Sequence, residues 1–76
     1  MLTVPNTGLI KSFNTDFLNI EKFLFKHVSH GKVTEIIYYD TKAYVYVTYP
    51  NGHNDYLLTL NSDNTITIKF LTFSID

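Results

Sequence analysis

The chain contains no cysteine, no tryptophan and no arginine. Without cysteine there is no disulfide, no thiolate nucleophile and no zinc–thiolate site. The absence also fits a reducing compartment, so a cytoplasmic protein is expected. Without arginine the chain lacks the planar, bidentate fork that best grips phosphate. Glycine occurs only three times, too sparsely for a loop that cradles phosphate groups. Charge of either sign is scarce, with a formal net charge of -1. The six lysines, Lys11, Lys22, Lys26, Lys32, Lys42 and Lys69, are scattered along the chain. A nucleic-acid binder usually concentrates such residues in a stripe or patch. No run approaches the roughly 20 apolar residues of a membrane-spanning helix, so no membrane association is expected. The first ten residues lack the basic start and apolar centre of a secretory signal.

What the chain does have is apolar and aromatic material. Of its 76 residues, 45% are hydrophobic and 16% aromatic, which suffices for a packed core and argues against disorder. A chain of this length makes one domain, here taken as residues 1–76. Folding at this size buries only roughly 60–65% of the unfolded surface, so stability is modest. The abundance of Asn, Lys, Ile, Tyr and Phe suggests an AT-rich genome. Small cysteine-free chains of this type are common among phages and mobile elements, an association rather than a physical argument.

The organising stretch is residues 43–49, Ala-Tyr-Val-Tyr-Val-Thr-Tyr. Nearly every residue in it is β-branched or aromatic, which suits a pleated, packed surface. Tyr44, Tyr46 and Thr48 point to one side, and Ala43, Val45, Val47 and Tyr49 to the other. A strand apolar on both faces usually has cover on both. A chain this short offers little to supply it.

Upstream, residues 1–12 read as an extended arm containing Pro5 and Gly8, with Leu2, Thr3 and Val4 able to form a short edge strand. Leu9, Ile10 and Phe13 are expected to lie against the domain. The spacing predicts a helix within residues 14–30. Asn14 serves as its N-cap, with Asp16 in the first turn and Lys26 in the last, as the helix dipole favours. Gly31 is expected to take a left-handed conformation just beyond it. Phe17, Ile20, Leu24 and Val28 form one stripe, widened by Phe23. Leu18 and Phe25 lie off the stripe.

From Lys32 the hydrophobic period changes to that of strands. Four are expected, at residues 33–39, 43–49, 56–60 and 65–73, linked by connections short enough to force an antiparallel meander. The fold class is therefore α+β: one N-terminal helix packed on a four-stranded antiparallel sheet spanning residues 32–73. Residues 49–53 fit a three-residue turn led by Pro50, with Gly52 at positive φ. Residues 61–65 repeat that design with Asn64 in the glycine's place, and residues 39–43 could follow it too. These turns put Tyr46 opposite Tyr56 and Leu58 opposite Ile68. The helix then covers Ile36, Tyr38, Tyr44, Tyr46, Tyr56, Leu58, Leu60, Ile66, Ile68 and Phe70. The other face carries Val33, Ile37, Tyr39, Val45, Val47 and Tyr49, with Glu35, Asp55 and Lys69 as charges at its rim.

Candidate chemistry is thin. His27 and His30 stand three apart at the helix end, a spacing able to grip a metal with His53 or Asp55 as a further ligand. Histidine also suits a helix C-terminus for electrostatic reasons alone, and two histidines fall short of the fuller zinc motifs. No metal and no cofactor are expected. His53, Asn54 and Asp55 resemble acid–base material only in type, since neighbours in a strand point apart and no nucleophile accompanies them. No motif assigns the chain to a family.

The resulting expectation is a small non-enzymatic protein-binding module, an inhibitor or adaptor, that acts through an aromatic-rich sheet face. The candidate interaction residues are Val33, Ile37, Tyr39, Val45, Val47 and Tyr49, with Tyr39 and Tyr49 as anchors. The partner is another protein, and pairing of the chain with itself fits the same face. The alternative is a small-ligand-binding domain or enzyme with its pocket between helix and sheet. A lesser alternative is stacking of single-stranded nucleic acid on the aromatic strands, which the missing basic groove disfavours.

Overall fold

The protein's structure, a computed structural model, describes residues 1–6, 17–28 and 30–75, without the side chains of residues 73–75. Its elements run β1 (Leu2–Pro5), α1 (Phe17–His27), β2 (Lys32–Tyr39), β3 (Lys42–Tyr49), β4 (Gly52–Leu60) and β5 (Thr65–Ile75). The strands form one antiparallel sheet in the order β1-β5-β4-β3-β2. The α+β class and the meander of β2 to β5 are as the hydrophobic period indicates. Two features of the expected architecture are corrected. The sheet has five strands rather than four, and the helix lies mid-chain, between β1 and β2, rather than at the N-terminus. The fifth strand is the arm segment itself, where Leu2 pairs with Ile68 and Val4 with Ile66. Val4 is thereby buried, and an apolar contact of this kind offsets the entropy of ordering a short terminal segment.

The core lies between α1 and one sheet face. Ile20, Phe23 and Leu24 pack with Val33, Val45, Val47, Tyr56, Leu58, Ile66 and Ile68. Leu18 and Phe25 are exposed, as their places off the stripe require. Phe17 is more exposed than its place on the stripe suggests, because the buried surface centres on Ile20 to Leu24. The proposed cap Asn14, the first-turn Asp16 and the apolar Leu9, Ile10 and Phe13 lie outside the described residues. Gly31 is buried but has no left-handed φ. Its role is close approach: an added Cβ would sit 2.5 Å from Cγ1 of Val47.

The turns decide which face each strand buries. At the β4–β5 turn the expected design is present. The Asn61 amide donates to the Thr65 carbonyl at 2.8 Å, and Asn64 takes φ 63°. Asparagine tolerates that region better than most residues. Leu58 duly faces Ile68. Asn64 also ties down the β1 edge: its Nδ2 donates to the Asn6 carbonyl at 2.9 Å, and the Asn6 amide donates to the Asn64 carbonyl at 2.9 Å.

The β3–β4 turn closes one residue earlier than expected. Tyr49 pairs with Gly52, leaving the two-residue loop Pro50-Asn51. The β2–β3 turn is likewise two residues, with Tyr39 paired to Lys42 and Asp40 at φ 55°. A one-residue change of register exchanges the faces of a strand. β3 accordingly turns Ala43, Val45 and Val47 toward the helix, all fully buried, and Tyr44, Tyr46 and Thr48 away from it. The outcome suits the packing. Compact aliphatic side chains join the buried cluster with Phe23 and Leu24, while Tyr44 and Tyr46 lie on the wetter face, where their hydroxyls can meet water. In β2 a bulge at Thr34 lets Val33 join Ile36 and Tyr38 on the core side.

Candidate functional site

The helix covers one sheet face, and none of the described elements covers the other. Rows of this open face follow from the register. Ile37, Tyr44, Leu57 and Lys69 lie side by side across β2 to β5. The next row is Glu35, Tyr46, Asp55 and Thr72, and on the other side Tyr39, Lys42, Thr59 and Thr67. Ile37 is 46% exposed, Tyr39 71% and Tyr44 39%. The patch is thus apolar at Ile37, Tyr39, Tyr44 and Leu57, with Glu35 and Lys42 among them, and grades into charge and hydroxyls toward β5.

Of the six residues assigned to an interaction face from sequence, Ile37 and Tyr39 are on the open face and exposed. Val33, Val45 and Val47 are buried core residues on the helix side, so the structure does not bring the six together. Tyr49 is half-buried on the helix side, where its hydroxyl accepts a hydrogen bond from Asn54 Nδ2 at 3.0 Å. The exchange of faces in β3 substitutes Tyr44 and Tyr46 for Val45, Val47 and Tyr49. Both tyrosines are visible in the sequence, and their polar tips were the available signal that they would prefer the wet face. The rim charges Glu35, Asp55 and Lys69 do fall on the open face. Oδ1 of Asp55 is buried without a hydrogen-bond partner.

The helix-side face holds a second polar feature. Asn54, opposite Val47, is buried and donates through Nδ2 to the hydroxyls of both Tyr49 and Tyr56, the latter at 3.1 Å. Its Oδ1 has no partner. The pair of bonds holds both rings against the sheet end nearest Gly31, a packing role. A cavity of about 400 Å³ opens between His27 and Val28 at the helix end and Tyr56, Ile68 and Phe70 on the sheet. Tyr56 and Phe70 meet edge to face with ring centres 5.7 Å apart. The lining is mostly apolar, and no two charged side chains converge on it.

His27 packs on Phe23 with ring centroids 4.7 Å apart and planes tilted by 53°, and the His30 ring centre lies 6.2 Å from that of Phe25. The histidines thus rest on different aromatics. Among the described residues no cluster of three or more His, Asp or Glu side chains could hold a metal ion. No helix among the described residues is long and apolar enough to cross a membrane. No family model, curated protein or solved structure matches the chain.

Proposed function

We propose that this chain is a small non-enzymatic module that binds another protein through the open face of its sheet, as an inhibitor or adaptor would. The observation that carries the reading is the uncovered row Ile37, Tyr44 and Leu57 with Tyr39 beside it. Contiguous apolar surface on a small monomer marks an interaction site more often than chance. Tyrosine suits such a site, since its ring buries area at low entropic cost and its hydroxyl finds a partner. The acidic Glu35 and Asp55 and the basic Lys69 flank the row and would orient a partner more than hold it. The cavity beside His27 favours the ligand-binding alternative less, because binding sites for small polar molecules need several converging polar groups.

The test separates folding from binding. Replacing Tyr44 and Tyr46 together by serine removes the centre of the patch without touching the core cluster. The double variant is expected to lose under about 2 kcal/mol of stability, the sum of two cross-strand aromatic contributions. It is also expected to lose a partner that the wild-type chain retains in reciprocal co-purification. Unfolding of the variant, or undiminished binding of that partner, would remove the open face as the site.

A further inference from the structure

β2 is an outer strand, and among the described residues no strand lies beyond it. The opposite edge, β1, is short and ends in Pro5, both devices that discourage further pairing. β2 is eight residues long and contains no proline. Its protective devices, the charges of Lys32 and Glu35 and the bulge at Thr34, gather toward one end and leave residues 36–39 regular and uncharged.

We propose that β2 pairs with β2 of a second copy of this chain, antiparallel about a two-fold axis at Ile36, so that the two sheets become one. A two-fold contact must be self-complementary, and the sequence of β2 restricts where the axis can lie. Core-side residues must meet core-side residues, or one sheet would face the wrong way. An axis at Glu35 sets two carboxylates directly opposite each other, which is destabilising. An axis at Ile37 sets Val33 opposite Asp40 in the turn, where no strand partner exists. An axis at Ile36, with the bulge counted as one position, sets every residue opposite one of its own face, with Glu35 opposite Ile37 and the two Glu35 carboxylates diagonal rather than directly opposed. Ile36 meets its own copy and Val33 meets Tyr38, extending both cores across the seam.

On the open face, Lys32 meets Tyr39 and lies next to Asp40 of the other copy. The ammonium therefore gains an aromatic face and a carboxylate, and symmetry repeats the gain at the other end. This charge complementarity between the two ends of one strand is the argument for a second copy over an unrelated chain. Ile36 and Tyr38 are only partly buried at the core's rim, where the copy would add cover.

The proposal does not rest on the reading of the open face, and the experiment keeps the two apart. The chain lacks cysteine, so a single introduced thiol gives an unambiguous cross-link. Directly opposed antiparallel residues have Cα atoms about 4.5–5.5 Å apart, within reach of a disulfide. Ile36→Cys under mild oxidation is expected to give a covalent dimer rapidly, and Ser62→Cys, in the exposed β4–β5 turn, is not. The wild-type chain is expected to pass from monomer to dimer over about a hundredfold range of concentration in sedimentation. Lys32→Glu, at an exposed site, is expected to weaken that dimer by about tenfold or more while the monomer stays folded. The Tyr44→Ser, Tyr46→Ser variant should still dimerise. A chain that stays monomeric throughout, or one that cross-links as readily at position 62 as at 36, overturns the proposal. So does a dimer indifferent to Lys32→Glu.

Discussion

Leu24→Ala is expected to lower the unfolding free energy by about 2–4 kcal/mol, the cost of emptying a buried leucine site. Leu24 has no exposed surface and belongs to the buried cluster that also holds Ile20, Phe23, Val45 and Val47. Its removal leaves a void in a cluster that includes Phe23, Val45 and Val47. Those valines are β-branched and held by the strand, so they relax poorly into the space. A chain of this length has a net stability of roughly 4–11 kcal/mol, and the loss is a large part of it. Leu18→Ala, on the exposed side of the same helix, should cost less than about 0.5 kcal/mol. Urea melts of the two variants measure the difference directly. A Leu24→Ala loss below about 1 kcal/mol would mean that the helix presents another face to the sheet.

Gly31→Ala is expected to cost about 1–3 kcal/mol, an unusually large effect for adding one methyl group. The new Cβ would lie 2.5 Å from Cγ1 of Val47 and 2.6 Å from Cε1 of Tyr49. Val47 is fully buried and cannot retreat. Tyr49 can move only by disturbing its bond to Asn54, which also holds Tyr56. Asparagine at this position separates crowding from backbone strain. It tolerates a left-handed cap, so a glycine kept for positive φ would accept Gly31→Asn better than Gly31→Ala. Crowding predicts the reverse order, and thermal melts of the two variants read it.

Much of this architecture was legible in the residues because several signals agreed. The period changes near Gly31, and every described residue from Lys32 to Ile75 lies in a strand or a connection. In β4 and β5, Asn64 and the alternation of Leu58 and Leu60 with Ile66 and Ile68 pointed to one register. β3 offered no such agreement. Both of its faces are apolar, so a loop shorter by one residue exchanged them without breaking any pattern. Val45 and Val47 thereby proved to be core, and the bulge at Thr34 did the same for Val33, while Ile37 and Tyr39 are exposed on the open face. The relevant distinction was between kinds of apolar side chain. Branched aliphatics pack best beneath a helix, and tyrosines tolerate water. β1 was legible as an edge strand, but its partner was not, because nothing in four residues specifies which distant strand they join.

That distance has a kinetic meaning. Thr3 and Thr67, whose hydroxyls lie 3.3 Å apart, are separated by 64 positions, whereas each link of the meander joins immediate neighbours. Hairpins close in roughly 1–10 μs, and contacts between remote segments must first meet a larger loop entropy. The meander can therefore assemble from local contacts while β5 is still an open edge, with β1 arriving last as a latch. On this ordering the latch also opens first, exposing β5 without loss of the remaining sheet, a sub-global event that amide exchange at Val4 against Leu58 would resolve in time.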